Sequence, residues 1–328
     1  APRTTPPALL VGQEVAGHAI SLVRQPSRRS SMMSAMATRE RIHPDTSLGP
    51  VELVVGDLEG MASFYEKAIG LAPISRSATD AMLGSSQGGR LIALAGRPDA
   101  PLRPRHSTGL FHVAFLVPSR RALARSVRRV IDAGWSFTGA SDHLVSEALY
   151  LDDPEGNGIE IYRDRPREEW RYEGGQLAMA TLPLDLDGVL AELDGSDDDS
   201  EADAAGTRIG HVHLQVSTLP PTEAFYEGDL GLDVTTARYP GALFLSAGGY
   251  HHHIGTNTWA SANAPAPPAG SRGLRRYTVV VPDAAELAAV SDRLRSAGHE
   301  LEAVDGGVEA VDPAGNHALV TTPDAAGS

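Results

Sequence analysis

The chain has 328 residues, no cysteine and a formal net charge of −14 at pH 7. That length can bury one large core or two domains, and the missing thiols exclude disulfides and thiolate sites. No apolar run reaches the length of a membrane span, and no basic stripe carries interleaved aromatics, so neither a membrane nor nucleic acid is an expected partner.

Residues 1–44 are rich in Pro, Ser and Arg and lack hydrophobic periodicity, which predicts a disordered N-terminal extension. Arg28-Arg29 is not followed by the apolar stretch of an export signal. The segment therefore reads as disorder, or as translated sequence upstream of a start at Met33 or Met36. A cytoplasmic location fits both this and the absence of cysteine.

The first regular element is LGPVELVVGDLEGMASFYEKAIGL (48–71): an alternating strand, a turn, then a short helix that carries Phe-Tyr-Glu and stops at Gly70. Next comes GLFHVAFLVPSRRALARSVRRVIDAGW (109–135), a strand, a Pro turn and an amphipathic helix closed by Ala-Gly. Its unit ends in YLDDPEGNGIEIY (150–162), where an Asp-Pro-x-Gly-Asn turn feeds a last strand. Asp185 to Asp203 then holds nine acids and no base, which predicts a solvated linker over residues 183–206.

Beyond the linker both patterns return. IGHVHLQVSTLPPTEAFYEGDLGL (209–232) repeats the first, and GLRRYTVVVPDAAELAAVSDRLRSAGH (273–299) with VEAVDPAGNHALV (308–320) repeats the second. Each of the four units is one strand, one helix and about three more strands. Two units lie in residues 45–182 and two in residues 207–322. One unit cannot cover its own sheet; pairing two closes a curved sheet around a cavity with helices outside. The predicted fold is α+β, four βαβββ modules forming two curved-sheet barrels.

One slot recurs in all four units, five residues before Val55, Val117, Val216 and Val281. It holds Pro50, His112, His211 and Arg276. A repeat that only builds a fold has no reason to place imidazoles in its middle copies alone. The closing strand divides the same way, with Glu160 in the second unit and Leu319 at the aligned position of the fourth. By alternation Glu160 faces opposite to Ile159 and Ile161, and His211 opposite to Val212 and Leu214. Glu160 then faces a cavity, where a metal would neutralise it. Two imidazoles and a carboxylate form the facial triad that leaves open positions on non-haem Fe(II); Mn(II) is the alternative ion.

The repeated unit resembles that of the vicinal oxygen chelate superfamily over residues 45–322. Within it the match is closest to the catechol 2,3-dioxygenase type, carried by GASDHLVSEALYLDDPEGNGIEIY (139–162) and SAGGYHHHIGTNTW (246–259). The resemblance implies His112, Glu160 and His211 as metal ligands, His253 as the catalytic acid–base, and Tyr150 and His143 as further active-site groups. Alternation gives His251 and His253 one face and His252 the other; His251 is the alternative acid–base. His252, Asn257 and Trp259 are candidates to line or brace the cavity, while His106, His299 and His317 read as solvent-facing.

The implied reaction is extradiol cleavage of a small aromatic diol with O₂. The alternatives are a glyoxalase-like isomerase or lyase, which usually wants a second carboxylate ligand, and a non-catalytic binding protein, which needs no triad. In two-domain relatives the site lies in the second half of the chain. Here the middle units would have to pair across the acidic linker, or two subunits would share a site. Exposed sheet edges leave a homodimer open.

Overall fold

The computed structural model describes residues 40–193, 206–304 and 306–327. Each of the four modules follows the order strand, helix, three strands. The first has β1 (Ser47–Val55), α1 (Leu58–Phe64), β2 (Ala72–Arg76), β3 (Asp80–Gly84) and β4 (Arg90–Gly96). The second has β5 (Gly109–Leu116), α2 (Arg120–Asp132), β6 (Gly139–Asp142), β7 (Ser146–Asp152) and β8 (Gly158–Asp164).

A crossover carries the short strands β9 (Tyr172–Glu173), β10 (Gln176–Leu177) and β11 (Leu182–Pro183), then α3 (Leu186–Ala191). The third module has β12 (Arg208–Gln215), α4 (Leu219–Glu223), β13 (Asp233–Thr236), β14 (Ala242–Ser246) and β15 (Ile254–Asn257). The fourth has β16 (Gly273–Val280), α5 (Ala284–Ser296), β17 (Glu302–Val304), β18 (Gly307–Val311) and β19 (His317–Thr321).

Local chemistry fixes these elements. Ser119 caps α2 by accepting from the Ala122 amide, and Leu123, Val127 and Val130 bury one stripe of the helix. Asp283 caps α5 by accepting from the Ala285 and Glu286 amides. Both copies of the Phe-Tyr-Glu helix end in a wider π turn, Tyr65–Ile69 and Ala224–Asp229, with the tyrosine buried. Gly70 adopts φ +84°, the left-handed conformation that stops the first of them.

The strand order is β17-β18-β19-β16-β1-β4-β3-β2 in one sheet and β11-β6-β7-β8-β5-β12-β15-β14-β13 in the other. The outer modules therefore share one sheet and the middle modules the other. β1 and β16 join antiparallel in the first, as do β5 and β12 in the second.

The two sheets are tied together by the repeat itself. Tyr65 of the first module donates to Asp153 in the second module's turn at 3.1 Å, and Asn157 donates to the same carboxylate at 2.8 Å. Tyr226 and Asp312 repeat this at 2.9 Å between the third and fourth modules, with Tyr277 donating to Tyr226 at 2.8 Å. All three groups of the second knot are buried. Tyr226→Phe would leave the Tyr277 hydroxyl without that acceptor, and is expected to cost about 1–3 kcal/mol in urea unfolding. No measurable change would mean the knot is incidental.

Two expected boundaries move. Residues 40–44 belong to the fold, because Ile42 is buried and its amide donates to the Gly231 carbonyl at 2.9 Å. The expected linker opens with α3, capped by Asp185 and holding Val189 fully buried, with Arg120 donating to the Gly188 carbonyl at 2.7 Å. Its high acid content concealed one apolar anchor. The rest of the expected extension, 1–39, and of the expected linker, 194–205, lies outside the described residues.

Candidate metal centre and cavity

His112 on β5 stands opposite His213 on the antiparallel β12, and β8 runs parallel beside β5 with Glu160 next to Ala114. His211 pairs with the same Ala114 from the other side, so Ala114 lies between it and Glu160. His112 Nε2 lies 3.1 Å from Glu160 Oε2, His211 Nε2 lies 3.2 Å from it, and the two Nε2 atoms are 3.1 Å apart. All three residues are buried and belong to one chain, so no second subunit is needed to assemble the cluster.

The donor set fits a cation. With bonds of about 2.1 Å, ligands at right angles sit about 3.0 Å apart and tetrahedral ligands about 3.4 Å apart. The observed separations of 3.1 to 3.2 Å fall within that range, so the three atoms are close enough to share one ion. Burial opposes the Glu160 charge, yet His211 and His112 together hold its carboxyl well below the usual range. Burial pushes the His211 imidazole down to about 4, partly offset by Glu160, which leaves its lone pair free at neutral pH.

His112 and Glu160 of the cluster line a cavity of about 450 Å³ walled by Phe111, Leu151, Ile159, Phe244 and Trp259. Tyr150 and His143 both line it and touch each other, with His143 Nε2 2.6 Å from the Tyr150 hydroxyl. His143 Nδ1 faces the Ala180 carbonyl at 2.7 Å, which can only accept. Neutral His143 therefore carries its proton on Nδ1 and accepts the Tyr150 hydroxyl proton on Nε2. Tyr150 turns its oxygen lone pairs, rather than its proton, to the cavity. Burial, then the Glu160 charge, push its phenol well up.

His253 does not reach this cavity. Its Nδ1 accepts from the Ala247 amide at 3.2 Å, and its ring lies against Tyr250 beside Arg208 and Gly210. His252 takes the cavity position instead, its ring centroid 4.1 Å from that of His211. Alternation failed because β14 ends at Ser246 and β15 begins only at Ile254. Gly248 and Gly249, at φ +61° and +67°, turn the chain before the histidines, which lie in an irregular segment between the two strands. His251 is fully buried and bonded to Asp164 and His252, away from the cavity wall.

His213 was missed. It is buried in the cavity wall, and Asn257 Nδ2 donates to its Nε2 at 3.1 Å. A Cβ on Gly255 would sit 3.0 Å from its ring, so glycine there makes room for the imidazole. Alternation from His211 would have found it. His299 is half-buried rather than solvent-facing, its Nε2 2.8 Å from Asp229 and its ring edge-on to Phe225.

The outer modules fill the equivalent space with an ion-pair network. Arg276 donates to Glu52 at 2.6 Å and to Glu309 at 3.3 Å. Glu309 faces Leu319 across its ladder as Tyr150 faces Glu160. Glu52 stands opposite Arg276 as His213 stands opposite His112. A guanidinium occupies the place where the middle modules present imidazoles.

Paired βαβββ modules closing over a buried His–Glu–His cluster define a modular class of small-molecule proteins with a candidate metal centre. The model of the Glyoxalase/Bleomycin resistance protein/Dioxygenase superfamily matches residues 47–161 and 208–319, and the chain belongs to that superfamily. A catechol-2,3-dioxygenase of Bacillus subtilis (strain 168) is 42% identical over 276 residues, covering 83% of this chain and 95% of that protein. Among solved structures, a Bacillus subtilis protein aligns at TM-score 0.59 and 14% identity over 86% of each chain. Glyoxalase I from Zea mays aligns at TM-score 0.52 and 14% identity, over 85% of this chain and 93% of that one. The two structural likenesses speak to the fold alone. Among the described residues no helix is long and apolar enough to cross a membrane.

Proposed function

We propose that the chain is an extradiol ring-cleavage dioxygenase, opening a catechol-type diol with O₂ at one iron(II) held by His112, Glu160 and His211. The observation that carries this reading is the buried three-atom donor cluster, two of whose residues, His112 and Glu160, line an apolar cavity. Identity of 42% to a catechol-2,3-dioxygenase over most of both chains supports it. Glu160 is the single carboxylate of the cluster, which favours this reading over a glyoxalase-like isomerase.

Three ligands on one face leave the remaining positions of an ion open to the cavity. Iron bound there supplies the meeting point for the diol and O₂ and the electron path between them. The chain's own residues do the rest. Phe111, Phe244 and Trp259 hold the ring and exclude water. Tyr150, its proton given to His143, accepts a hydrogen bond from a diol hydroxyl. His252 manages the proton beside the reacting oxygens. Burial first, then His211 and His251, hold its imidazole well below the usual range, so it starts as a neutral base.

Anaerobically purified protein given iron(II), then catechol and O₂, should consume oxygen and form a yellow ring-fission product. Manganese in place of iron tests the alternative ion. Retention of zinc or nickel with no oxygen uptake would sink the reading.

A further inference from the structure

The proton role of His252 needs a ring nitrogen that faces the cavity without a hydrogen. We propose that Asp164 and His251 are positioning residues that secure this by fixing the tautomers along a buried Asp164–His251–His252 chain. The use of that nitrogen rests on the dioxygenase reading; the tautomer itself does not.

His251 Nε2 lies 2.9 Å from Asp164 Oδ1, and His251 Nδ1 lies 2.7 Å from His252 Nδ1. An ionised carboxylate only accepts, so His251 carries its proton on Nε2. With His251 neutral, its single N–H is used on Asp164 and its Nδ1 accepts. The proton in the short contact between the two Nδ1 atoms then belongs to His252. That leaves His252 Nε2 bare, on a ring that lines the cavity and packs on His211.

Two features hold the chain in this order. Glu160, Tyr162 and Asp164 alternate along β8, so the strand that brings the carboxylate to the cluster also brings the anchor. Asp164 Oδ1 accepts a second bond, from the Tyr250 hydroxyl at 3.1 Å, and Tyr162 donates to Tyr250 at 2.7 Å. The Tyr162 hydroxyl passes over Gly210, where a Cβ would sit only 1.8 Å away. The acceptor is thus built in by packing. His251 has no exposed surface, so water does not offer its nitrogens another partner.

The test is ¹⁵N NMR of histidine-labelled full chain after zinc addition, with the His252 resonances assigned through His252→Gln. His252 is expected as the Nδ1–H tautomer and His251 as Nε2–H. In Asp164→Ala both should relax from that pattern, with kcat lowered roughly tenfold or more and KM little changed. Asp164→Asn, whose side-chain oxygen can still accept, should restore both, which a merely structural role for the charge would not require. An Nε2–H signal on His252 in the unaltered chain would overturn the proposal. So would an unchanged tautomer pattern in Asp164→Ala. The expected tautomers in a protein that fails to cleave catechol would sink the dioxygenase reading and leave this one standing.

Discussion

His211→Ala is expected to leave the chain folded and unable to retain a divalent ion, with ring cleavage lost to background. Its Nε2 closes a triangle whose other corners, His112 Nε2 and Glu160 Oε2, are 3.1 Å apart. Losing a group that merely orients a ligand costs roughly 10- to 100-fold in metal affinity, so losing a ligand should cost more. The exchange also leaves Glu160 buried with one imidazole beside it. Metal analysis after dialysis reads the effect, with circular dichroism to check the fold. The control is Arg276→Ala, the same slot in the outer modules, which breaks the pairs to Glu52 and Glu309 and should leave iron content unchanged. Unchanged iron in His211→Ala would remove it from the ligand set.

The second large effect separates two neighbouring histidines. His252→Ala should lower kcat by roughly 10²- to 10⁴-fold, the usual scale for a positioned acid–base, with one iron still bound per chain. His253→Ala should keep kcat within about threefold of the parent, because its ring lies outside the cavity. Steady-state kinetics on both variants decides it. A large loss in His253→Ala with full activity in His252→Ala would restore the assignment that the family resemblance implies.

That reversal marks the limit of what sequence patterning reads. The four modules, the outer and middle pairing, and the convergence of His112, Glu160 and His211 all follow from repeats, and repeats survive in sequence because each copy solves the same packing problem. Tyr150 and His143 likewise reach the cavity expected of them. The facing of these histidines was misread because alternation is a property of strands, and His251–His253 follow two left-handed glycines in an irregular segment between β14 and β15. His213 alternates with His211 but lies outside the recurring slot, which marks only one residue per strand. Helix α3 was hidden because one buried valine is a weak signal among nine acids. The Asp164–His251 bond joins residues 87 apart, and no local pattern announces it.

A single ion held among His112, Glu160 and His211 by the two paired middle modules is the central proposal. Anomalous diffraction at the iron edge from iron-loaded crystals tests it most directly. One peak per chain, about 2.1 Å from His112 Nε2, His211 Nε2 and a Glu160 oxygen, is the predicted result. A peak among other residues, or a loaded, active enzyme with no peak between these three, would contradict it.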